Sequence, residues 1–369
     1  MTALSLLSLL SLLAWAWLAL AHGRFWQAGP GLLPARPAHT PAVAVIVPAR
    51  DEAALIRHSI GSLLAQDYAG PLRVVLVDDG SADGTADRVR DLAGPRLELH
   101  AGTPRPAGWA GKLWAVEQGI AATDSEWLLL TDADIVHDPR HVASLIARAE
   151  QSGAALVSEM VALNCSSAAE RALIPAFVYF FQLLYPFAWV NAPRRHTAAA
   201  AGGSILVRRA TLARIGGIAA IRAALIDDVA LAAAVKRAAP IWLGHSMLAR
   251  SIRPYPQVAE IWRMVARSAY VQLRFSPLLL VVSLVGLALL FVVPPVGALA
   301  GQAAGVLAWA VMAATLLPTL HRFGLSAWRA PLLPLVALFY MAATLWAAID
   351  HHRGRGVTWK RRAYTERQA

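Results

Sequence analysis

Long apolar segments at both ends of the chain restrict its possible folds more than any other feature. Residues 2–21 form an uncharged run of 20 residues, and a helix of that length covers about 30 Å, the thickness of a bilayer core. No Lys or Arg precedes the run, and it is longer than the ~7–15 residue core of a secretory signal peptide. We therefore expect residues 1–22 to form an uncleaved membrane anchor, with a cleaved signal peptide as the alternative.

The C-terminal part of the chain is apolar again. Three segments are long enough to span a bilayer, if some are short or tilted: 277–293, 296–317 and 331–349. Pro294-Pro295 is expected to separate the first two, and the basic stretch 321–329 the last two. We predict a transmembrane region of two to three spans over residues 277–349.

The net charge of +11 arises from 34 Lys and Arg against 23 Asp and Glu. Basic residues cluster beside the apolar segments, which favours contacts with anionic headgroups over binding to nucleic acid. Residues 251–276 are predicted to form an interfacial amphipathic helix, because they mix aromatic side chains with basic ones: Arg253, Trp262, Arg263, Arg267, Tyr270, Arg274 and Phe275.

Residues 350–369 form a basic tail whose side of the membrane the sequence leaves open. Three true C-terminal spans would place this tail opposite the central domain. The positive-inside rule would place it in the cytosol.

The central region, residues 40–250, alternates strand and helix patterns. Strands are predicted at 42–47, 73–77, 96–99 and 127–131, and helices at 52–66, 84–93, 139–150 and 228–238. This order indicates an α/β fold, a Rossmann-like, mostly parallel sheet with helices on both faces. Ligands of such sheets bind beyond the carboxyl ends of the strands. The single cysteine, Cys165, excludes an internal disulfide and a cysteine metal cluster.

Three acidic pairs occur in the central region, and each has a structural alternative. Asp78 and Asp79 follow a predicted strand, where a turn alone would explain them. Asp132 and Asp134 follow another strand in the run LLLTDAD. Two carboxylates so close repel each other unless a cation lies between them, and oxygen ligands suit Mg²⁺ or Mn²⁺. A solvated turn is the alternative there.

The third pair, Asp227 and Asp228, lies at the start of a predicted helix. Helix capping explains one acid at such a position but hardly two. The order DD, DxD, DD suits a domain that binds a metal–nucleotide and needs a base.

With these acids and its secondary motifs, the chain resembles family 2 glycosyltransferases of the GT-A fold over about residues 40–275. VPARDEA (47–53) is similar to the family's Pro-x-x-Asn-Glu strand end, with Asp51 in place of asparagine. GWAGKLWAVEQG (108–119) and AAAAGGSILVRR (198–209) are similar to its Gly-Lys-x-x-Ala segment and its acceptor loop. More narrowly, the segments 170–195 and AIRAALIDDVAL resemble hopanoid-biosynthesis-associated glycosyltransferases.

The resemblance implies roles for individual residues. Glu52, Asp78 and Asp79 would hold the uridine part of a nucleotide-sugar donor. Asp132 and Asp134 would hold a divalent metal and the diphosphate, and Asp228 would be the general base of an inverting transfer.

The resemblance also implies roles for residues that have a structural explanation as an alternative. Lys112 would assist departure of the diphosphate, although it could equally be a solvated lysine at a helix start. Gly202 and Gly203 would admit the acceptor or simply form a turn, and Asp227 would orient its neighbour.

The acceptor side departs from the family pattern in one respect. Many membrane members carry Gln/Arg-x-x-Arg-Trp after the base, whereas MVARS (264–268) keeps only Arg267 of that motif. Because processive synthases use the tryptophan to hold a growing sugar chain, its absence favours a single transfer onto a lipid, which we expect to be a hopanoid. Residues 173–190, aromatic-rich and interrupted by prolines, are expected to lie at the interface near the acceptor, with a buried core helix as the alternative.

The resemblance further implies a multi-pass protein of the bacterial inner membrane with its catalytic domain in the cytosol. Other enzymes of lipid biosynthesis are conceivable partners. Three alternatives stay open: a ceramide- or carotenoid-type lipid glycosyltransferase, a nucleotidyltransferase, and a non-catalytic membrane scaffold. A nucleotidyltransferase would need a Gly-rich basic loop after the first strand, and VPARDEA is not one.

Overall fold

The computed structural model describes residues 2–27 and 29–354, together with the backbone of 358–359 and 362–363. Most of the predicted basic tail therefore lies outside the described residues. The chain forms two compact units. We call the first the sheet unit, which contains Pro30–Asn164 and Trp189–Pro254, and the second the helical unit, which contains the chain before Pro30, Cys165–Ala188 and the chain from Tyr255 to residue 354.

The longer strands are β1 Val43–Ala49, β2 Leu72–Asp78, β3 Leu97–Ala101, β4 Trp127–Leu130, β5 Ile135–His137, β6 Leu156–Ala162, β7 Ile205–Arg208 and β8 Ile241–Ser251. The α-helices are α1 Ala3–Leu20, α2 Ile56–Leu64, α3 Gly111–Ala121, α4 His141–Ser152, α5 Ala168–Leu184, α6 Phe187–Val190, α7 Arg209–Arg214, α8 Asp227–Lys236, α9 Val258–Gln272, α10 Pro277–Leu287, α11 Val293–Leu299, α12 Ala303–Arg322 and α13 Leu333–His352.

One eight-stranded sheet, in the order β3-β2-β1-β4-β7-β6-β8-β5, forms the centre of the sheet unit. The four strands of its first half are parallel, β1 pairing with both β2 and β4, and β2 with β3. In the second half β7 is antiparallel to both neighbours, β6 and β8 are parallel, and β5 is antiparallel to β8. The predicted α/β class is confirmed, with a sheet that is mixed.

The parallel half follows directly from the sequence. All seven residues of β1 are buried, as expected of an apolar, β-branched strand covered on both faces. Chain direction reverses between β4 and β7, so the carboxyl ends of β1, β2 and β4 lie along one edge. The predicted acids Glu52, Asp79, Asp132 and Asp134 lie in the loops that follow these three strands, and Asp78 ends β2.

Several predicted boundaries change. The predicted helix 84–93 is a 3₁₀ helix over Ala86–Leu92. Helix α2 begins at Ile56 and not at residue 52, because residues 53–55 form a turn before it. The predicted interfacial helix begins at Val258 and not at residue 251, since β8 continues to Ser251 and two prolines follow it.

Among the residues that the structure describes, four helical segments are long and apolar enough to cross a membrane, all in the helical unit: Ala3–Leu20, Pro277–Leu299, Ala303–Arg322 and Ala327–His352. The predicted break at Pro294-Pro295 is wrong. One π-helical turn, Ala288–Val292, precedes the two prolines, which then lie in the first turn of α11. A first-turn proline needs no backbone N–H, so the segment continues and ends near Gly301.

The aromatic-rich segment 173–190 belongs mainly to α5, a helix that packs among the apolar helices of the helical unit. Tyr179 of α5 is fully buried and hydrogen-bonded to Thr315 of α12 at 2.8 Å. Pro175 cannot donate to the carbonyl of Arg171, and the Arg329 guanidinium donates to that oxygen instead, at 3.3 Å. Within this unit the segment resembles the buried-helix alternative more than an interfacial segment.

Helix α12 approaches α11 so closely at Gly305 that any side chain there would strike backbone. A Cβ on Gly305 would lie 2.5 Å from the Ala298 nitrogen and 2.6 Å from the Gly297 carbonyl carbon. Neither atom can rotate away, so the two helices would have to separate.

We expect Gly305→Ala to lower the free energy of unfolding in detergent by about 1–3 kcal/mol relative to Gly286→Ala. Gly286 of α10 makes a matched control, because a Cβ there meets no atom within 4 Å and both changes gain the same helix propensity. Equal thermal midpoints for the two variants would contradict the close contact.

Candidate active site

The candidate site lies at the sheet edge where β1, β2 and β4 end, and α3 and α8 complete it. The loop after β4 supplies Asp132 and Asp134, α3 supplies Lys112, and the first turn of α8 supplies Asp227 and Asp228. A small cavity is lined by Lys112, Asp132, Asp227 and Asp228 together with apolar residues. The structure thus brings together acids that lie about 95 residues apart in sequence.

Lys112 is the cation at the centre of this site. Its Nζ lies 2.9 Å from Asp132 Oδ1 and 3.1 Å from Asp227 Oδ2, and only 18% of its side chain is exposed. Burial lowers the pKa of Lys112, but the carboxylates of Asp132, Asp227 and Asp228 outweigh it and raise this pKa well above its usual value. The interpretation of Lys112 as a solvated lysine is therefore wrong.

Asp228 is held by backbone donors. Its Oδ2 accepts a hydrogen bond from the Gly202 N–H at 2.9 Å, and its Oδ1 accepts one from the Val229 N–H at 2.8 Å. Burial and the neighbouring Asp227 charge raise the pKa of Asp228 to about 7, against the opposing effects of Lys112 and the two N–H donors. A carboxylate with a pKa near neutrality can take up a proton at physiological pH.

Neither acid of this pair serves as the N-cap of α8, whose cap residue is Ile226. Asp227 pairs with Lys112 and Asp228 with Gly202. Their negative charges in the first turn nevertheless interact favourably with the helix dipole.

The two predicted glycines lack a side chain for different structural reasons. A Cβ on Gly202 would point toward the site, 3.5 Å from Asp228 Oδ2 and 3.6 Å from Lys112 Nζ. A Cβ on Gly203 would lie 2.9 Å from a methyl group of Val161 on β6. Gly202 therefore keeps the site open, while Gly203 lets the backbone pack on the sheet.

Asp134 and Glu52 share one partner that the sequence did not indicate. Arg253 donates from Nε to Asp134 Oδ2 at 3.0 Å and from Nη2 to the two Glu52 carboxylate oxygens at 2.6 and 2.8 Å. Ser251 Oγ donates to the same Asp134 oxygen at 3.0 Å. The prediction that Arg253 contacts headgroups as part of an interfacial helix is wrong, because the residue lies beyond β8 and its guanidinium pairs with the site's acids.

The acids after β2 have different surroundings. Asp79 is buried, and its carboxylate lies 3.6 Å from Arg50 Nη1, which also donates to the Asp79 backbone carbonyl. Asp78 Oδ1 accepts from the Ser81 N–H at 2.9 Å, which is the turn expected from sequence. Asp51 Oδ1 accepts from the Ala82 N–H, so the loops after β1 and β2 brace each other.

Sequence reasoning also missed a buried polar network behind the site. Thr131 donates to the Gly203 carbonyl at 2.7 Å, and its hydroxyl lies 3.2 Å from His137 Nε2. His137 contacts His141 at 2.9 Å between their Nδ1 atoms, and His141 pairs with Glu159, which is fully buried. A regular alternation of apolar residues would have made β6 easier to find, but Glu159 interrupts it.

The residues present fit a divalent cation that is shared with a ligand. No group of three or more His, Cys, Asp or Glu side chains that could hold a metal occurs among the residues the structure describes. Two neighbouring carboxylates, Asp132 and Asp134, are the donor set that Mg²⁺ or Mn²⁺ uses when substrate phosphates supply further oxygens. Arg267 lies on α9 in the helical unit, where its side chain is exposed.

Comparison with known proteins gives a consistent result. The model of the glycosyl transferase family 2 matches residues 44–216, which ends before Asp227. An N-acetylglucosaminyltransferase of Bradyrhizobium elkanii is 34% identical over 132 residues, which are 34% of this chain and 69% of that protein. A 4,4'-diaponeurosporenoate glycosyltransferase of Staphylococcus aureus (strain USA300) is 31% identical over 94 residues, 26% of this chain and 24% of that protein.

This chain covers only 24–63% of the length of the other curated relatives compared with it. Among solved structures, the mannosyltransferase PcManGT from Pyrobaculum calidifontis, in complex with GDP-Man and Mn²⁺, superposes with a TM-score of 0.58 at 20% identity. The superposition covers 94% of this chain and 99% of that chain. At this identity the likeness shows a shared fold.

Proposed function

Because the chain belongs to glycosyl transferase family 2, we propose that it is a membrane-bound inverting glycosyltransferase that transfers a sugar from a nucleotide diphosphate sugar to a lipid hydroxyl. The donor is proposed to be UDP-linked and the lipid a hopanoid. The observation that carries this proposal is the convergence of Lys112, Asp132 and Asp228 on one cavity.

The geometry supports a single displacement. Asp228 in its ionised form takes the proton of the acceptor hydroxyl, whose oxygen bonds to the anomeric carbon of the sugar. The bond from that carbon to the diphosphate oxygen breaks, and the nucleoside diphosphate leaves with the electron pair. Lys112 lies where its charge can stabilise the departing diphosphate, since it already pairs with Asp132 and Asp227.

Asp132 and Asp134 would hold a divalent cation together with the donor diphosphate. When bound, this cation supplies positive charge to the leaving group. PcManGT was solved with Mn²⁺, which supports the proposal. Glu52, Asp78 and Asp79 are proposed to face the nucleoside, at the ends of β1 and β2.

An apolar wall beside the base supports a lipid-linked acceptor. Ile218, Ile221 and Leu231 line the cavity next to Asp228, so an acceptor of low polarity would lose little solvation there. Gly202 and Gly203 are proposed to shape the acceptor side, and Arg267 to contact the lipid. The hopanoid class rests on the sequence resemblance of 170–195 and of the segment around Asp227.

The four apolar helices support placement in a membrane. In α1, Trp15 is fully buried in the helical unit and donates to the Leu290 carbonyl at 2.7 Å. This packing favours retention of residues 1–22 as an anchor. We propose a multi-pass protein of the bacterial inner membrane with a cytosolic sheet unit, and other enzymes of lipid biosynthesis as its partners.

Incubation of the purified protein with a panel of nucleotide sugars, a hopanoid alcohol and a ceramide tests this function. Mass spectrometry of the lipid products is expected to show a glycosylated hopanoid that depends on Mn²⁺ or Mg²⁺. Exclusive glycosylation of ceramide would favour the runner-up acceptor. A nucleotidylated product without sugar transfer would replace the proposed activity with nucleotidyl transfer.

The rate of transfer should depend on pH through Asp228. Its raised pKa of about 7 means that below this pH the carboxyl is protonated and cannot act as a base. We expect kcat/KM to fall about tenfold for each pH unit below 7 and to level off above it. A profile that is flat between pH 5 and 8 would show that another group accepts the proton.

A further inference from the structure

Arg253 joins two acids that follow neighbouring strands of the sheet, β1 and β4. Its guanidinium contacts Glu52, after β1, and Asp134, after β4, through separate nitrogens. The three residues form one ion-paired group, which we call the Arg253 clamp. Because Nε and Nη2 point to different carboxylates, the fork of an arginine suits this position better than a lysine ammonium.

Both acids of the clamp are removed from water. Glu52 is 8% exposed and Asp134 is 9% exposed. Burial of a carboxylate charge costs free energy unless a hydrogen-bonded partner of opposite charge compensates for the lost water. Arg253, whose side chain is 27% exposed, supplies this charge to both.

Within the Arg253 clamp, the arginine donates to Asp134 Oδ2, an oxygen that a bound metal would need. Asp134 Oδ2 accepts hydrogen bonds from both Arg253 and Ser251. Asp132, the other proposed ligand, is paired with Lys112 instead. Each acid of the DxD segment therefore has its own protein cation, and the expected repulsion between the two is relieved without a metal.

We propose that Arg253 restricts metal binding: it neutralises Asp134 in the empty enzyme and releases Asp134 Oδ2 when a divalent cation arrives with the donor diphosphate. This inference rests on the proposed function, since it takes Asp134 as a metal ligand. Metal alone must displace the Arg253 Nε–H from Asp134 Oδ2, while Nη2 stays paired with Glu52. Metal with a nucleoside diphosphate brings phosphate oxygens to which the guanidinium can transfer. Arg253 thereby couples metal binding to donor binding.

Mn²⁺ titrations of the full-length, detergent-purified protein test the proposal by calorimetry. Without nucleotide, Arg253→Gln is expected to bind Mn²⁺ about 10–100-fold more tightly than the wild type, the range for losing one competing charge-assisted hydrogen bond. With UDP present, this gain should shrink or reverse, because the variant lacks the group that would bind phosphate.

A matched control separates the clamp from a general charge effect. Arg250, three residues earlier on β8, is exposed and carries the same charge. Arg250→Gln should leave Mn²⁺ affinity unchanged. Arg253→Lys keeps the charge but loses the fork, so its affinity for Mn²⁺ alone should lie between those of wild type and Arg253→Gln. If Arg253→Gln fails to fold, the Mn²⁺ titration of Arg253→Lys tests the proposal.

Three results would overturn the inference. Mn²⁺ affinity that is unchanged or weaker in both Arg253 variants would exclude competition. If Arg250→Gln gained as much Mn²⁺ affinity as Arg253→Gln, the gain would come from the loss of one positive charge and not from the contact with Asp134. Retention of Mn²⁺ binding by Asp134→Asn would show that the ion does not use Asp134, and this result alone would also remove the metal assignment from the proposed function. Sugar transfer by the wild type, measured separately, shows whether that function stands.

Discussion

Replacing Asp228 with Asn is expected to lower the rate of sugar transfer by about 10²–10⁴-fold, the usual cost of losing a general base. The amide keeps the shape of the carboxylate and can still accept from the Gly202 N–H, which Asp228 Oδ2 does at 2.9 Å. It cannot take the proton of the acceptor. Affinity for the nucleotide sugar should stay within a few fold of the wild type, as measured by calorimetry beside the transfer assay.

Asp227→Asn provides the control, since it changes the adjacent acid in the same helical turn. Asp227 contacts Lys112, and its charge helps to raise the pKa of Asp228. Its removal should therefore lower that pKa, and the acid limb of the pH profile should move to lower pH. The loss of rate should be smaller than for Asp228→Asn. Wild-type turnover by Asp228→Asn, combined with an inactive Asp227→Asn, would reverse the two assignments.

Removal of either carboxylate of the DxD segment should abolish metal-dependent nucleotide binding. We expect Asp132→Ala and Asp134→Ala each to weaken UDP binding in the presence of Mn²⁺ by at least about 100-fold, the upper range for loss of an outer partner of a metal. The physical reason is that the proposed metal site uses two carboxylates, Asp132 and Asp134, so the loss of one removes half of the protein's contribution.

Asp87→Ala serves as the comparison for this experiment, because Asp87 is an exposed acid of the same unit that pairs only locally with Arg90. Its UDP affinity should equal that of the wild type. Calorimetric affinities in Mn²⁺ that do not change in either DxD variant would refute the metal assignment. When Mn²⁺ is omitted, the UDP affinity of the wild type should fall close to that of the two DxD variants.

Most of the parallel half of the sheet could be predicted, because β1, β2 and β4 are short, largely apolar runs with acids at or just after their ends. β1 and β4 are buried throughout, and their sequences contain no polar residue. The antiparallel half could not. β6 contains Ser158 and Glu159, both fully buried: Ser158 Oγ donates to the Ser204 carbonyl, and Glu159 Oε1 pairs with His141. A strand stabilised by such tertiary contacts has no local pattern that would indicate it.

The acids of the candidate site could be located from the sequence, whereas of its two cations Lys112 was implied only by the resemblance and Arg253 was not predicted. Local sequence located the acids, because each pair follows a strand or begins a helix. Arg253 lies 201 residues from Glu52, and nothing near Arg253 distinguishes it from the arginines of the interfacial helix. Lys112 had the same difficulty, since its partners Asp132 and Asp227 are known only once α3, β4 and α8 are placed together.

The proline pair in the apolar C-terminal region does not have the effect expected from sequence. A proline pair usually interrupts a helix, but here Pro294 and Pro295 lie in the first turn of α11, directly after a π-helical turn. The sequence also could not show that Arg329 would satisfy the carbonyl left free by Pro175. Arg329 is distant from Pro175 in sequence, so no local sequence pattern indicates this contact.

The Arg253 clamp also sets an order of events during synthesis. Glu52 leaves the ribosome 201 residues before Arg253, a delay of about 10–40 s at about 5–20 residues per second. Until Arg253 has been made, neither Glu52 nor Asp134 has this counter-charge. The Arg253 clamp therefore forms only late in synthesis, when α9 and the apolar helices that follow it are next to emerge. Completion of the sheet unit and emergence of the C-terminal apolar helices thus fall into the same short period of translation.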